Sequence, residues 1–420
     1  MITTIPLLPG ITLRCFNDNR FKQGCLSVQF LRPACKEEAA MNALIPAVLL
    51  RGCQSAPDLR HITLRLDELY GASMGALVRR IGDYQTTGLY CGFIADRYTM
   101  DGDAVLAPMV KFLGEILFQP VLEKGIFRED FVESEKKNLI AAIQSQKNDK
   151  RSYCVTKLLR TMCKDDPFGI PRLGEAAWVE DITPEALFTQ YQKVLRESRV
   201  ELFYVGESAP EQVADLLKSL FSNLNRSYVN QPEQSDFHDA GKEDCVETME
   251  IAQGKLAMGF VTPITLRDPQ LAAMQVCNTI LGAGMTSKLF MNIREKQSLC
   301  YDIGSGYHGV KGILFVSAGI DCDKVDHVKQ EILLQLESIR QGEISDNELL
   351  AAKEGLISGL RGSHDSPSAI EGYYATGAVS GLGWTPEKYM EEISKVTAQQ
   401  VRDAAKTLQL HSTYFLKGVK

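Results

Sequence analysis

The sequence lacks both an excess of basic residues and any long apolar run. Of its 420 residues, 46 are Lys or Arg and 53 are Asp or Glu, so the formal net charge is -7. Nucleic acids and anionic membranes favour a basic protein surface, and we therefore expect neither as a partner. The first residues, MITTIPLLPG, carry no basic segment and no long apolar segment. We accordingly expect no signal peptide and no membrane anchor.

Paired cysteines are also missing. Eleven Cys residues are spread over the chain, and none of them forms a Cys-x-x-Cys pair. Of the evenly spaced Cys15, Cys25 and Cys35, two lie in apolar, strand-like contexts, where a free thiol behaves as a small hydrophobic group. The odd number and the scattered positions predict a protein of the reducing cytoplasm.

The length and the local patterns predict two domains of an α+β fold. A chain of this size is too long for one ordinary core and suits two domains of about 200 residues each. Alternating apolar residues between Ile11 and Leu31 indicate paired strands. Amphipathic segments such as VLAPMVKFLGEILFQP indicate helices. We therefore expect helices packed against largely antiparallel sheets.

An internal repeat supports the division into two homologous halves. The segment EKKNLIAAIQSQKND, which starts at Glu135, matches AKEGLISGLRGSHDS, which starts at Ala352, so the repeat has a period of about 215 residues. We predict a first half over 1–221, a polar linker over 222–245 and a second half over 246–420. Helix starts are predicted at Thr183, Ser345 and Thr397, where capping residues are followed by suitable partners.

The most informative stretch is LGAGMTSKLFMNIREKQSLCY, from Leu281 to Tyr301. The apolar residues Leu289, Phe290 and Ile293 fall at helical spacing and predict a helix with one buried face. Arg294 lies near the end of this helix, and Tyr301 enters the next predicted strand. A guanidinium fork and a phenol hydroxyl suit the polar groups of a peptide backbone. The residues alone equally allow Arg294 to pair with a neighbouring carboxylate and Tyr301 to pack in the core.

Two other features near this stretch carry less weight. Cys300 stands next to Tyr301, but no histidine lies near it in a matching motif, so we expect a buried thiol rather than a nucleophile. Asp321, Cys322 and Asp323 form a short acidic turn that could bind a cation weakly.

The pattern from Leu281 to Tyr301 resembles the second half of the pitrilysin-like zinc peptidases, the inverzincins, which include the mitochondrial processing peptidase. The resemblance implies that Arg294 and Tyr301 grip the substrate backbone across a chamber from the zinc. It also implies a clam-shaped molecule of two homologous α/β sandwich halves, with antiparallel sheets and packed helices. In the short-chain, processing-peptidase-like branch two subunits pair, and one of them sometimes lacks the zinc site.

The family's metal site is missing from this chain. In the family, a His-x-x-Glu-His helix in the first half holds zinc and activates a water molecule. Alignment on LLRGC places five other residues at the motif positions, namely Ala43, Leu44, Ile45, Pro46 and Ala47. The earliest histidine is His61, so no shift in alignment restores the motif.

The downstream part of the metal site is also changed. The resemblance places Glu135 at the first of two family glutamates, and Ala142 at the second, which is the zinc ligand. We expect Pro46 to kink or end the former metal helix and its apolar neighbours to fill the space as core. We therefore predict no cofactor in this chain, and zinc only in a partner subunit.

These observations lead to three hypotheses. In the first, the chain is a catalytically silent peptidase homologue, the substrate-binding subunit of a heterodimeric zinc peptidase that acts on peptides. Arg294 and Tyr301 are then its substrate-binding residues, and it has no catalytic or metal-binding residues. In the second, it is a structural or peptide-binding homodimer without proteolysis. In the third, it is an active zinc-dependent metalloendopeptidase with an unrecognised site.

Overall fold

The computed structural model describes residues 2–230 and 232–419. It forms two compact units, each assembled from three segments. Unit 1 comprises Met1–Gln144, Ile170–Glu233 and His364–Thr376, and unit 2 comprises Ser145–Gly169, Gln234–Ser363 and Gly377–Lys420. The predicted ranges 1–221, 222–245 and 246–420 include Met1, Gln231 and Lys420, which lie outside the described residues. The division of the chain into two homologous halves with a linker over 222–245 therefore stays a prediction.

The strands of the described residues are β1 (Ile2–Leu8), β2 (Ile11–Asn17), β3 (Gln23–Pro33), β4 (Ser73–Ile81), β5 (Tyr84–Ile94), β6 (Leu122–Glu123), β7 (Ile126–Phe127), β8 (Arg199–Gly206), β9 (Asp244–Glu250), β10 (Gly254–Val261), β11 (Cys300–His308), β12 (Ile313–Ile320) and β13 (Gln409–Val419). Unit 1 holds a six-stranded sheet in the order β1-β2-β8-β3-β5-β4, which we call sheet 1. Unit 2 holds a five-stranded sheet in the order β11-β12-β10-β13-β9, which we call sheet 2. Most neighbours are antiparallel, while β2 with β8 and β13 with β9 are parallel.

The α-helices of the described residues are α1 (Lys36–Leu49), α2 (Leu59–Glu68), α3 (Leu106–Phe118), α4 (Glu129–Ser145), α5 (Lys150–Met162), α6 (Ala176–Glu180), α7 (Pro184–Glu197), α8 (Pro210–Ser222), α9 (Leu271–Asn278), α10 (Val325–Gln341), α11 (Asp346–Gly362), α12 (Pro367–Ser380), α13 (Pro386–Lys395) and α14 (Ala398–Thr407). Two π-helical segments, Thr279–Ala283 and Leu289–Lys296, follow α9. The predicted α+β class is thus confirmed. No helix in the described part of the chain has the length and apolar character needed to cross a membrane.

The central strand β3 shows how sheet 1 is built. Its residues alternate between two buried faces, because successive side chains of a strand point to opposite sides. Leu26, Val28 and Phe30 join the apolar core that α1, α3, α7 and α8 cover. Ser27 and Gln29 lie between them and are fully buried on the other face, where polar partners are required.

Those partners come from a distant segment of the chain. Glu371 of α12 accepts hydrogen bonds from Ser27 Oγ at 2.7 Å, from Gln29 Nε2 at 2.8 Å and from Arg79 Nη2 at 2.8 Å. Its side chain is fully buried. A buried carboxylate is tolerated only when its oxygens are paired, so these donors determine where the segment 364–376 attaches in unit 1.

Unit 2 uses a comparable contact for the segment 145–169. Lys311 Nζ lies 3.0 Å from Asp166 Oδ2, and both side chains are almost completely buried. The same ammonium donates to the carbonyl and hydroxyl oxygens of Ser235. Helix α5 from this segment packs its buried face, including Leu158 and Met162, into a second apolar cluster of unit 2.

The predicted helix starts are confirmed. Thr183 accepts a hydrogen bond from the Ala186 N–H, while Ser345 and Thr397 form complete capping boxes with Glu348 and Gln400. The repeat matches two helices of 17 residues each, α4 and α11.

Candidate functional site

Arg294 and Tyr301 lie on either side of a tight reversal of the chain. Arg294 belongs to the π-helical segment Leu289–Lys296, where Leu289 and Ile293 are buried as predicted. The reversal occurs at Ser298, a non-glycine residue with φ of 52°, whose N–H donates to the Arg294 carbonyl. Strand β11 then begins at Cys300. Rare π-helical turns and left-handed residues are features often associated with functional sites.

A β-bulge sets the direction of the Tyr301 side chain. Cys300 pairs with Ile320 and Asp302 pairs with Gly319, so Tyr301 is the extra residue in β11. A bulge of this kind redirects a side chain without ending the strand. Tyr301 is 53% exposed while Cys300 beside it is only 8% exposed, so the tyrosine does not pack in the core.

Three neighbours hold the Arg294 guanidinium. Its Nε donates to the Tyr301 carbonyl at 3.0 Å, and its Nη1 lies 3.3 Å from Glu295 Oε1. The guanidinium carbon is 4.6 Å from the centroid of the Phe290 ring. Phe290, which we expected on the buried face, is half-buried and serves as a stacking surface for the cation. The side chain is thus oriented by β11 and by its own helix.

The Tyr301 hydroxyl has a partner that the motif did not indicate. It donates to Asp321 Oδ1 at 3.1 Å, and Lys324 Nζ lies 3.0 Å from Asp321 Oδ2. The hydrogen bond to Asp321 raises the pKa of Tyr301. Hydrogen bonds from Lys324 and Tyr301 lower the pKa of Asp321. The acidic turn noted in the sequence therefore supports Tyr301 through one of its carboxylates.

These side chains border one open pocket within unit 2. Its volume is about 410 Å³, and its lining residues are Arg294, Glu295, Ser298, Leu299, Cys300, Tyr301, Asp321 and Lys324. The structure thus brings both predicted site residues to the same cavity. Asp321 and Lys324 lie 20 and more residues away in sequence, beyond the β11–β12 hairpin, and only the folded hairpin reveals them as part of the site.

Cys300 does not contribute a nucleophile to this pocket. Burial, together with the nearby Asp302 carboxylate, raises the pKa of Cys300 to about 11. A thiolate is the reactive form of cysteine, and this thiol stays protonated near neutral pH. The expected buried, neutral thiol is thus what the structure contains.

The helix aligned with the family's zinc motif is α1. Ala43, Leu44 and Ile45 are 5%, 1% and 3% exposed, and the last two belong to the core of unit 1. Pro46 is buried as well. None of these side chains has an atom that can bind zinc, because zinc takes Cys, His, Asp or Glu ligands. The residues present at this position therefore do not fit the metal.

The expectation was that Pro46 kinks or ends this helix, and the second alternative is wrong. Helix α1 continues through Pro46 to Leu49. Proline lacks the N–H that would bond to the Asn42 carbonyl, and Thr87 Oγ1 of β5 donates to that carbonyl instead, at 2.6 Å. The Asn42 side chain is paired with Gln85 and Gln190, so the buried amide of this helix is satisfied.

The second expected metal position is equally altered. Glu135 of α4 pairs with Arg51 Nη1 at 3.3 Å and accepts from Asn138, and Ala142 is exposed. Across residues 2–230 and 232–419 no group of three or more His, Cys, Asp or Glu side chains is placed to hold a metal ion. That this chain needs no cofactor remains a prediction.

Proteins with similar sequences include metallopeptidases and a homologue named as inactive. A family model described as the Peptidase M16 inactive domain matches residues 181–356, which include the pocket. A Bacillus subtilis protein named "Probable inactive metalloprotease YmfF" is 29% identical over 411 residues, covering 98% of this chain and 96% of that protein. An "Uncharacterized zinc protease" of Rickettsia felis is 24% identical over 295 residues, covering 68% of this chain and 69% of that one.

Solved structures agree with these matches. A conserved protein from Enterococcus faecalis has a TM-score of 0.89 and 29% sequence identity, and the similarity covers 100% of this chain and 99% of that one. The chain is thus similar over nearly its whole length to proteins related to the M16, or pitrilysin-like, metallopeptidases. Its relatives include proteins named as zinc proteases and one named as inactive.

Proposed function

We propose that this chain is a catalytically silent M16 homologue that binds extended peptides, as the substrate-binding subunit of a heterodimeric zinc peptidase. The observation that carries the proposal is the contrast between α1 and the pocket. At α1, every position of the zinc motif holds a side chain without a metal-binding atom. In unit 2, Arg294 and Tyr301 line one accessible pocket and are oriented by neighbouring groups.

Arg294 supplies the main attraction for a peptide. Its Nε and Nη1 are engaged by Tyr301 and Glu295, while Nη2 makes no hydrogen bond to the described residues. This nitrogen can donate to a backbone carbonyl, and a hydrogen bond from a charged donor is stronger than a neutral one. Tyr301 contacts the same stretch of backbone through its hydroxyl. Cleavage chemistry, with zinc and an activated water, belongs to the partner subunit.

The first experiment is affinity purification of the tagged protein from its native host, with identification of copurifying proteins by mass spectrometry. We expect a stoichiometric partner of similar length that contains His-x-x-Glu-His. Recovery of the protein alone, as a zinc-free homodimer, would contradict the heterodimer and favour the structural or peptide-binding alternative. One tightly bound zinc ion per chain, measured by metal analysis, would contradict the silent role. The free state of all eleven cysteines supports a cytoplasmic location for this assembly.

The second experiment tests the pocket in the reconstituted pair. Arg294→Ala should lower the kcat/KM for peptide cleavage roughly 10- to 100-fold, as expected for a lost charged hydrogen bond. Assembly, measured by size-exclusion chromatography, should be unchanged. Lys296→Ala is the matched control, because Lys296 is an exposed cation on the same segment and bonds only to Asn292. Normal kinetics for Arg294→Ala would contradict the proposed role.

A further inference from the structure

We propose that Asp321 is a positioning residue that makes Tyr301 a hydrogen-bond acceptor, so that the pocket recognises an internal, uncharged peptide unit through its C=O and N–H together. This inference rests on the proposed function and deepens it by naming the part of the peptide that is bound. It makes the Tyr301 hydroxyl an acceptor towards the peptide and not a donor.

The direction of the Tyr301 hydroxyl follows from its partner. An ionised carboxylate can only accept hydrogen bonds, so the 3.1 Å contact with Asp321 Oδ1 uses the hydroxyl hydrogen. Lys324 at 3.0 Å from the other carboxylate oxygen holds Asp321 in place and favours its ionised form. The lone pairs of the phenol oxygen remain for a ligand. In this arrangement the Tyr301 hydroxyl oxygen can accept a hydrogen bond from an N–H group of the peptide.

Arg294 provides the complementary group. Its Nε is engaged by the Tyr301 carbonyl, which ties the donor to the same residue that supplies the acceptor. Its Nη2 then offers a donor in the same pocket that the Tyr301 side chain lines. In an extended strand the N–H and C=O of one residue point to the same edge, and antiparallel partners exchange both bonds through such pairs. The pocket can therefore bind one residue of an extended peptide by both backbone groups.

The charges of the pocket favour a neutral ligand. The two cations are each paired with a carboxylate, Arg294 with Glu295 at 3.3 Å and Lys324 with Asp321 at 3.0 Å. A terminal carboxylate would compete with Glu295 and Asp321 for these cations. A terminal ammonium would be repelled by the two cations. Neither chain end gains a net electrostatic attraction. An internal peptide unit, which has no charge, matches the pocket.

A measurement without ligand tests the positioning role. Tyrosine labelled with ¹³C at Cζ allows the titration of Tyr301 to be followed by NMR, with Tyr301→Phe to assign the signal. Asp321→Ala should lower the pKa of Tyr301, because the accepting carboxylate raises it. Asp323→Ala, an exposed carboxylate two residues away that does not line the pocket, is the control. An unchanged Tyr301 titration in Asp321→Ala would overturn the inference.

The binding test uses end-blocked synthetic peptides obtained by selecting a random twelve-residue display library against the whole protein. Each backbone amide is replaced in turn by an ester, which removes one N–H. In the wild type, one internal ester should weaken binding roughly five- to tenfold, as expected for one lost hydrogen bond. In Tyr301→Phe and in Asp321→Ala the same ester should cost less than twofold, because no acceptor is held in place. Asp323→Ala should behave as the wild type.

The outcomes distinguish a failure of the proposed function from a failure of the acceptor role of Tyr301. Selected peptides that bind Arg294→Ala as tightly as the wild type would contradict the proposed function itself. Peptides that depend on Arg294 but show the same ester effect in wild type and Tyr301→Phe would overturn only the acceptor role. A requirement for a free amino or carboxyl terminus would overturn the internal-unit assignment.

Discussion

Helix α1 of unit 1 and the Arg294 pocket of unit 2 are the two places where the resemblance to zinc peptidases predicts functional residues, and they differ in character. At α1 the side chains are apolar and buried, with Leu44 only 1% exposed. At the pocket the side chains are charged or polar, and Tyr301 is 53% exposed. The first region has become part of a core, while the second keeps accessible groups that are restrained by neighbours.

The polar groups of the two regions show the same difference. Around α1, four buried polar side chains bond, within residues 2–230 and 232–419, to one another and to backbone, namely those of Asn42, Gln85, Thr87 and Gln190. In the pocket, Arg294 retains a nitrogen without a partner among the described residues. A surface that keeps such a donor exposed is suited to a ligand, whereas a fully satisfied buried network is suited to stability. Four predictions test this contrast, starting with the largest effect.

If α1 is core, a cavity there should be costly. Leu44→Ala should lower the free energy of unfolding by about 2–5 kcal/mol, measured by urea denaturation. Leu64→Ala is the control, because Leu64 on α2 is 49% exposed and should change stability by no more than about 0.5 kcal/mol. Equal losses in the two variants would show that the helix is not packed as core.

Pro46 and Thr87 should be energetically coupled. Thr87→Val should cost about 1–3 kcal/mol, because it leaves the Asn42 carbonyl buried without a donor. In a Pro46→Ala background the restored N–H can bond to that carbonyl, so the same substitution should cost less. A double-mutant cycle on unfolding free energies measures the difference. Additive effects would indicate that Thr87 does not replace the donor missing at Pro46.

The start of α1 should make stability sensitive to acid. Burial alone would raise the pKa of Glu38, but hydrogen bonds from Arg32 and Lys193, at 2.8 and 2.7 Å, lower it to about 2. Because the folded-state pKa lies below the ordinary value of 4.5, this stabilisation is present above pH 4.5 and is lost as the pH falls towards 2. We expect a loss of about 1–2 kcal/mol after solvent screening is allowed for.

Unfolding measured across this pH range should show that loss in the wild type and not in Glu38→Gln. Glu37→Gln, at an exposed neighbouring position, is the control and should keep the wild-type profile. If Glu38→Gln leaves the pH dependence of the unfolding free energy unchanged, the acid sensitivity comes from other carboxylates.

The smallest expected effect concerns the stacking of Arg294 on Phe290. Phe290→Leu keeps an apolar side chain but removes the ring that lies 4.6 Å from the guanidinium. Peptide affinity should fall about two- to fivefold, as expected for an exposed cation–π contact. Met291→Leu, at a neighbouring exposed position, should leave affinity unchanged. Equal affinities for wild type and Phe290→Leu would show that the ring does not orient Arg294.

The sequence predicted the pocket's two principal residues but not their supporting contacts. Local spacing was sufficient to place Arg294 on a helix and Tyr301 on the following strand, because both lie in one short stretch. The bulge at Tyr301 and the bond to Asp321 depend on how β11 pairs with β12, and pairing is not visible in local patterns. The bulge therefore had no sequence signal. The acidic turn was visible in the sequence, but nothing there indicated that it contacts Tyr301.

Pro46 also shows that a local pattern does not reveal contacts with residues distant in sequence. Proline usually disrupts a helix, and the expectation that the helix ends at Pro46 applied this local rule without knowledge of the neighbouring residues. In the structure Thr87, from a strand distant in sequence, donates to the carbonyl that proline leaves without its usual partner. Likewise, no local pattern indicates that the segments containing α5 and α12 join units that are distant in sequence.

The segment 364–376 has a consequence for how the protein is made. Ser27, Gln29 and Arg79 are synthesised early, but their carboxylate partner Glu371 emerges after most of unit 2 has been translated. At about 5–20 residues per second, some 140 residues separate the end of the 170–233 segment from residue 376, a delay of roughly 7–30 seconds. During that interval Ser27, Gln29 and Arg79 lack the carboxylate to which they bond in the folded protein.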